Sequence, residues 1–333
     1  MLLVLIACGS RQTDLGLEVL SERTETSAPM QTITSSPTPT VAPTHTITPT
    51  NTFTPNPSST PTRMPSPEPV EIVRLMQYNI ILGGAVTPRC KNLRLLFDGW
   101  EGESTFEDAL AIIKSADPDI LVVNEACDWR LSHISEHVVE SLGMNDFFVG
   151  EDFVGGYPDA APDAIFTKYK IVEAESLRFG EPNTIDSVFR GIKATIITPS
   201  NVELIIFGVH LVHETGDVGN RVRYAQIDYL IEEIERHQNS FVILTGDMNE
   251  TYHFTRKPLE EVGMIGLLEG GVNHRWTGEN WSSIDQIWVT PNLKFHPWSQ
   301  DIEYYDNLEN TNKQWKAVSD HNPEAALIAI YPP

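Results

Sequence analysis

The sequence predicts an α+β fold in which most strands pair in the antiparallel sense. Strand-like segments outnumber helix-like ones, and several neighbouring strands are joined by connections of hairpin length. Strands and helices also alternate irregularly along the chain. A doubly wound parallel sheet would instead require a regular alternation of strand and helix.

The composition excludes several classes of protein. The chain has 333 residues, of which 41% are apolar, and this is enough for a sizeable buried core. With 46 acidic and 23 basic residues the formal net charge is -23, which argues against a general polyanion-binding protein. An enzyme that recruits a divalent cation to bind phosphate remains compatible with this charge. No apolar run approaches the roughly 20 residues of a membrane-spanning helix, so we expect no integral membrane protein.

The N-terminal residues indicate export. Residues 5–8, Leu-Ile-Ala-Cys, resemble a bacterial lipobox, so residues 1–8 are interpreted as a truncated lipoprotein-type signal that ends at a lipidated Cys8. The alternative is an irregular apolar N-terminus with no targeting role. Residues 9–70 are interpreted as a disordered tether, because Ser, Thr and Pro fill 31 of the 47 positions from Thr24 to Val70. We therefore expect an exported protein at the cell envelope or cell surface, which contacts the membrane only through a lipid anchor.

The folded domain is predicted to span residues 71–333, and it contains Cys90 and Cys127. In an oxidising compartment these two residues can pair as a disulfide. Two free thiols are an equally good interpretation of the sequence. No cysteine and histidine spacing is suited to structural zinc.

The first part of the domain is predicted to begin with the strand Val70–Ile80. Apolar residues then recur at helical spacing from Phe106, where Ser104 and Glu107 match a capping box. Asp117-Pro118 ends this helix, because proline disfavours a helical residue before it. The next segments are the short apolar strand 120–123 and a helix over 131–142 that ends at a glycine.

The rest of the domain is predicted to consist mainly of strands. Apolar and β-branched runs bounded by turn residues give the strands Ala164–Phe166, Ile171–Leu177, Ile192–Ile197, Val202–Val209, Phe241–Leu244, Ile284–Val289 and Ala325–Ile330. One helix separates them at Val222–Ile234, where apolar residues again recur at helical spacing.

Polar side chains gather at the boundaries of these strands. They are Asn79, Glu125, His210, Asp247, Asn249, Asp285, Asp320 and His321. Each has a simpler interpretation by itself, because a single Asp or Asn after a strand usually caps a turn and a histidine is often part of the core. Their joint occurrence on six separate segments indicates a site built at one edge of a sheet.

The order of these motifs resembles the endonuclease/exonuclease/phosphatase superfamily, which shares the fold of DNase I. The motifs that carry the resemblance are MQYNI, ILVVNE, FGVHL, RYAQ, GDMN, IDQI and SDH, and they cover essentially all of the predicted domain. The resemblance implies a four-layer αββα sandwich of two mixed, largely antiparallel sheets flanked by helices. The chain departs from the family pattern at Ser283, where Arg is frequent, and at Gln286, where Tyr is frequent.

The resemblance also implies roles for the site residues. Glu125 would be the main ligand of Mg²⁺, or of Mn²⁺ or Ca²⁺, with Asn79 close by and Asp320 as a second acidic ligand. Asp247 would orient or deprotonate the attacking water, and His321, oriented by Asp285, would contact the phosphate. His210 and Asn249, which are also predicted to be catalytic, would bind the phosphate, and Arg223 would bind the substrate. Trp276, in the loop before Asp285, is a further predicted substrate-binding residue.

The predicted function is that of an exported, metal-dependent phosphoesterase, foremost a nuclease-like or phospholipase C-like phosphodiesterase. Its substrate would be a phosphate ester in a nucleic acid, a phospholipid or a small phosphodiester, and no obligate protein partner is predicted. Trp276 can stack on bases, rest on a lipid surface or pack in the core. The alternatives are a catalytically inactive surface binding module on the same fold, and an adhesive tether that carries the domain as a passenger.

Overall fold

The structure, a computed structural model, describes residues 68–80, 90, 106–151, 162–180, 188–213, 216–250, 252–266, 284–297, 321 and 323–331. All of them belong to one unit, Met64–Pro333. The predicted signal and most of the predicted tether lie outside the described residues. No helix in the described part of the chain is both long enough and apolar enough to cross a membrane.

The strands of the domain form two sheets of six strands each. The strands are β1 (Glu71–Asn79), β2 (Ile120–Asn124), β3 (Asp146–Val149), β4 (Ala164–Thr167), β5 (Lys170–Phe179), β6 (Val188–Ile197), β7 (Glu203–His210), β8 (Phe241–Asp247), β9 (Ile265–Gly266), β10 (Asp285–Val289), β11 (Leu293–Pro297) and β12 (Glu324–Ile330). The first sheet has the order β11-β12-β1-β2-β4-β3, and the second has the order β5-β6-β7-β8-β10-β9. The β1–β2 and β7–β8 pairs are parallel and the other described pairs are antiparallel.

Helices cover the outer faces of both sheets. The helices are α1 (Phe106–Ala116), α2 (Ser132–Leu142), α3 (Gly216–Arg236) and α4 (Tyr252–Glu261), with a short 3₁₀ turn at Cys127–Arg130. Buried residues of α1 and α2 pack on the first sheet, and those of α3 and α4 pack on the second. The expectation of a four-layer αββα sandwich is therefore confirmed.

A third apolar cluster fills the space between the two sheets. Its members come from alternate positions of the facing strands, such as Val73 and Leu75 in β1 and Ile120 and Val122 in β2. This alternation is expected because successive side chains of a strand point to opposite faces of the sheet. The same face becomes polar towards one end of the strands, where Asn79 and its neighbours follow the apolar positions.

Glycines allow a close approach at this polar end. A Cβ atom on Gly208 would lie 2.7 Å from Cγ1 of Val122 in the opposite sheet. Gly246 has a φ of +136°, and a Cβ atom there would overlap the backbone carbonyl of Val209 in the neighbouring strand. Glycine is the residue that adopts such a conformation without steric cost.

The predicted elements within the described residues are all present. The strand at the start of the domain, the helix broken before Pro118 and the helix ended by a left-handed Gly143 occur as the sequence indicates. Several elements are longer, most clearly α3, which begins at Gly216 instead of residue 222. The prediction missed β3, β9, β11 and α4, and Ser104 of the predicted capping box lies outside the described residues.

Cys90 and Cys127 form a disulfide, with their Cα atoms 6.0 Å apart. Cys127 begins the 3₁₀ turn directly after Glu125 and Ala126, and its backbone N–H donates a hydrogen bond to the Glu125 carbonyl over 2.9 Å. The disulfide therefore attaches the chain segment at Cys90 to the 3₁₀ turn that follows Glu125. The structure resolves the choice left open by the sequence in favour of the paired cysteines.

We expect Gly246→Ala to lower the free energy of unfolding by more than about 3 kcal/mol, because its methyl group would overlap the backbone of β7. Gly143→Ala is the matched control: its φ is also positive, but no atom lies within 4 Å of the added Cβ. The control should cost only about 1–2 kcal/mol of left-handed strain. Urea unfolding of both variants measures the difference, and equal losses would contradict this account of Gly246.

Candidate active site

Strand register places three predicted site residues side by side in the second sheet. Asp247 pairs with His210 of β7 on one side and with Asp285 of β10 on the other. In the first sheet, Asn79 of β1 pairs with Asn124 of β2, and Glu125 follows immediately. Side chains from the polar ends of both sheets therefore meet across the interface.

The carboxylate of Asp247 lies at the centre of this group. Its Oδ2 accepts a hydrogen bond from Asn79 Nδ2 over 3.0 Å. The Nε2 atoms of two imidazoles lie near the same oxygen, His210 at 3.8 Å and His321 at 3.7 Å. Its Oδ1 accepts a 2.8 Å hydrogen bond from the backbone N–H of Asn249, which lies two residues further along the chain. One carboxylate oxygen thus faces both imidazoles while the other is held by the backbone.

The environment of Asp247 changes its protonation. Burial raises the pKa of its carboxyl from 3.8 to about 7, and the negative charge of Asp285 acts in the same direction. The charge of His321 and the hydrogen bonds from Asn249 and Asn79 lower the pKa in part. A carboxyl with a pKa near neutrality is suited to accept and release a proton at physiological pH.

Asp285 and His321 form a buried pair. Asp285 Oδ2 lies 2.5 Å from Nδ1 of His321, which leaves the Nε2 side of the ring near Asp247. The exposed fraction of Asp285 is 0% and that of His321 is 6%. This arrangement is suited to orient His321, because a carboxylate that accepts from one ring nitrogen fixes the orientation of the imidazole.

Glu125 and Asn79 have the donor chemistry of a divalent-cation site. Glu125 Oε1 lies 3.4 Å from Asn79 Nδ2 and 3.8 Å from His210 Nε2, and its side chain keeps a 23% exposure. Carboxylate and amide oxygens are the hard ligands that Mg²⁺, Mn²⁺ and Ca²⁺ prefer. The partly exposed carboxylate beside a buried amide fits a cation that binds from the solvent side.

Another cluster with metal-ligand chemistry fits a cation less well. Ligand atoms of Asp247, Asp285 and His321 lie within 4.8 Å of one another. However, one oxygen of Asp285 contacts His321 and the other accepts a hydrogen bond from Gln77 Nε2 over 2.9 Å. Because both oxygens already have partners, Asp285 is better placed to orient the imidazole than to bind a metal.

Two other predicted site residues contact the backbone of the site. Asn249, with a φ of +47°, donates from Nδ2 to the carbonyl of Leu211 over 2.9 Å. Arg223 is 5% exposed; its Nη1 donates to the carbonyl of Val212 over 2.9 Å, and its Nε lies 3.4 Å from Oε2 of Glu250. The guanidinium therefore supports the segments that follow β7 and β8, and a direct role in substrate binding stays a prediction.

Three predicted residues lie outside the described part of the chain. They are Asp320, predicted as a metal ligand, Trp276, predicted to bind substrate, and Cys8, predicted to be lipidated. His321, the neighbour of Asp320, is described and lies at the site. The roles of these three residues stay predictions.

Two further buried polar residues of the site, Gln77 and Asn124, were not predicted. Asn124 Oδ1 accepts from the backbone N–H of Asp247 over 3.1 Å and from Gln77 Nε2 over 3.0 Å. Asn124 Nδ2 donates to the Val209 carbonyl over 3.0 Å and to Asp163 Oδ1 over 2.8 Å. The signal that identifies Gln77 is its position two residues before Asn79 on β1, which places both on one face.

Comparison with known proteins agrees with this geometry. The model of the Endonuclease/Exonuclease/phosphatase family matches residues 90–321. No curated protein sequence matches the chain.

Solved structures share the fold at low identity. One is an endonuclease/exonuclease/phosphatase from Beutenbergia cavernae, at 14% identity and a TM-score of 0.57, over 78% of this chain and 72% of that one. The catalytic domain of human Nocturnin with a bound sulfate gives 16% identity and a TM-score of 0.55, over 78% and 93% of the two chains. ANGEL2, a 2′,3′-cyclic phosphatase in complex with adenosine-2′,3′-vanadate, gives 14% identity and a TM-score of 0.56, over 78% of this chain and 96% of that one.

We expect Asp247→Asn to stabilise the metal-free protein, and to do so more at pH 8 than at pH 5. The folded pKa of about 7 lies above the ordinary 3.8, so the wild-type fold loses stability as the pH rises between these values. The amide carries no charge and avoids this loss. The melting temperature in EDTA should rise on the order of 5 °C more at pH 8 than at pH 5.

The exposed helical residue Asp228 supplies the control for this measurement. Asp228→Asn removes a carboxylate of the same size that lies at the surface. Its effect on the melting temperature should be small and equal at the two pH values. An equal gain at both pH values for Asp247→Asn would contradict a raised pKa at this carboxyl.

Proposed function

The chain belongs to the endonuclease/exonuclease/phosphatase family and is a hydrolase of phosphate ester bonds, and on this basis we propose that it is an exported, metal-dependent phosphodiesterase. Its substrate contains a phosphodiester of the nuclease or phospholipase C type, which is attacked by an activated water. The observation that carries this proposal is the Asp247 carboxylate, with one oxygen facing two imidazoles and a pKa raised to about 7.

Asp247 holds and deprotonates the attacking water in this proposal. Its Oδ2 is the oxygen nearest to both imidazoles. With a pKa of about 7, a substantial fraction of the carboxyl is deprotonated at neutral pH, and the carboxylate is a stronger base than one with an ordinary pKa. Asn79 Nδ2 and the Asn249 N–H each hold one oxygen of the carboxylate, so its orientation is fixed before a substrate binds.

The two histidines bind the phosphate in this proposal. His321, held through Nδ1 by Asp285, presents Nε2 to the centre of the site, and His210 presents its Nε2 from the neighbouring strand. Nitrogen donors aimed at the phosphoryl oxygens stabilise the charge that develops during hydrolysis. The Asn249 side chain lies at the same edge, next to the segment that follows β7.

Glu125 and Asn79 would hold the divalent cation, with Asp320 as a further acidic ligand, and we propose Mg²⁺ or, in its place, Mn²⁺ or Ca²⁺. The bound cation supplies charge neutralisation at a phosphoryl oxygen. The partial exposure of the Glu125 carboxylate supports this role, because the cation and the phosphate then share the solvent-facing side of the site.

Export is proposed on independent grounds. The lipobox-like residues before Cys8 and the Thr- and Pro-rich segment support a lipid-anchored protein at the cell envelope or cell surface. The disulfide Cys90–Cys127 supports the same conclusion, since disulfides persist in oxidising compartments and are rare in the cytosol.

We expect the purified full chain to hydrolyse phosphodiesters only with a divalent cation. The panel is bis(p-nitrophenyl) phosphate, p-nitrophenyl phosphate, single-stranded DNA, RNA and sphingomyelin vesicles, each with Mg²⁺, Mn²⁺, Ca²⁺ or EDTA. Glu125→Gln, Asp247→Asn and His321→Ala should each lower kcat on the order of 10²-fold or more, because each removes a group that acts on the reacting atoms.

The control for this panel is the exposed variant Asp228→Asn, which should keep full activity. Full activity in all three site variants would refute the assignment of the site. A folded wild-type chain that neither turns over any substrate nor binds Mn²⁺ in a calorimeter would favour the inactive binding module instead.

We expect the protein made in its source cell from the full locus to carry a diacylglyceryl group on Cys8. Mass spectrometry of the N-terminal peptide measures this modification, and the same digest without reductant should contain the Cys90–Cys127 linked peptides. Cys8→Ser is the control that should release the protein from the membrane fraction. An unmodified Met1 would refute the lipid anchor.

A further inference from the structure

The side chain of Gln77 lies between the two sheets, one alternate position before Asn79 on β1. It is fully buried. Its Nε2 donates to Asp285 Oδ1 over 2.9 Å and to Asn124 Oδ1 over 3.0 Å. These contacts join β1, β2 and β10, which belong to both sheets, next to the Asp285–His321 pair.

We propose that Gln77 is a positioning residue for hydrolysis, which orients Asp285 and, through Asp285, the imidazole of His321. The proposal rests on the function proposed above, since His321 acts on the phosphate there. It adds a residue that does not touch the substrate but controls one that does.

The hydrogen-bonding chemistry fixes the orientation of the Gln77 amide. An amide NH₂ group has two donors, and here both face acceptor oxygens. The opposite orientation would place Oε1 against the same two oxygens, one of them a carboxylate, which is unfavourable. Among the described residues Oε1 has no hydrogen-bond partner. The described contacts of the side chain are therefore made by the nitrogen.

The Asp285 carboxylate is held at both oxygens. Gln77 contacts Oδ1 and His321 contacts Oδ2. The terminal torsion of an aspartate is broad and two-fold, so a carboxylate held at one oxygen can rotate about it. Two partners from different parts of the chain, Gln77 on β1 and His321 before β12, remove this freedom. Loss of Gln77 would allow Asp285 to turn, and the His321 ring would turn with it.

The second contact of Gln77 connects the same amide to the base. Asn124 Oδ1 accepts from Gln77 and also from the backbone N–H of Asp247. Hydrogen bonds through Gln77 and Asn124 therefore fix the position of the Asp285–His321 pair relative to Asp247. This arrangement is suited to keep His321 Nε2 near Asp247 Oδ2, which is 3.7 Å away.

The test compares Gln77→Met with Thr167→Val in the full chain. Methionine preserves the length of the side chain but removes the donor. Thr167 is equally buried and ends β4, where it pairs with Ile120 at the end of β2 away from Asn124. Its hydroxyl donates to the Asp119 carbonyl over 3.1 Å and accepts from the backbone N–H of Tyr169 over 3.0 Å. Each variant loses two hydrogen bonds of the replaced side chain, but only Gln77→Met changes a contact of the site.

We expect Gln77→Met to lower kcat on bis(p-nitrophenyl) phosphate about 10- to 100-fold, with KM changed less than about two-fold, because misplacement of a catalytic group affects mainly the transition state. Thr167→Val should keep kcat within about two-fold. In an Asp285→Asn background, Gln77→Met should add little further loss, because both changes act through the same carboxylate. Circular dichroism confirms that each variant is folded.

A second measurement does not depend on catalysis. The low-field proton NMR resonance of the His321 Nδ1–H, recognised by its loss in Asp285→Asn, should shift in Gln77→Met and stay unchanged in Thr167→Val. A wild-type chain without hydrolytic activity would refute the proposed function, whereas this resonance still reports on Gln77. The positioning role is overturned if Gln77→Met leaves the resonance in place, or if its kcat equals that of Thr167→Val. Should Gln77→Met fail to fold, Gln77→Glu in the same NMR experiment decides the question.

Discussion

The alternation of side chains along the facing strands is the constraint on which the rest of this structure depends. The face between the two sheets is apolar over most of its length and polar at one end, and the same strands supply both parts. Leu75 and Gln77 belong to one strand and one face, as do Ile243 and Asp247. A shift of one residue in register would remove the core and the site together, because every side chain would change face.

The polar end of the interface is stabilised by hydrogen bonds in place of apolar contacts. Asn124 alone joins β2 to β7, to β8 and to the residue before β4, and also bonds to Gln77 of β1. It uses both its oxygen and its nitrogen. Buried polar groups are expensive unless they are paired, so this layer is stable only when the sheets approach to hydrogen-bonding distance. Gly208 and Gly246 permit that approach, since a side chain at either position would meet the neighbouring strand or sheet.

The sequence predicted the class of fold and most of the candidate site, because both depend on local patterns. Apolar runs gave the strands, and a polar residue at each strand end gave Asn79, Glu125, His210, Asp247 and Asp285. The short strands β9 and β11 were missed because too few residues carry a periodic signal. The helix α4, which was also missed, contains Pro258, a residue that disfavours a helix interior. Asn124 gave no signal by itself, since its importance depends on partners in the other sheet. Arg223 shows the same limit: its residue type suggests phosphate binding, but its position beside Glu250 and Val212 follows only from tertiary packing.

The pairing of β1 with β12 determines how the domain can be attached to a surface. Glu71 pairs with Ile330, so β1 begins and β12 ends at the same end of the sandwich. Asn79 lies eight residues further along β1, at about 26 Å from Glu71 given the rise of an extended strand. Chain that enters at Glu71 therefore joins the domain at the end farthest from the site. A resin, a sensor chip or a fusion partner attached before β1 or after β12 would leave the opening of the site free, and the protein is suited to immobilisation at either point.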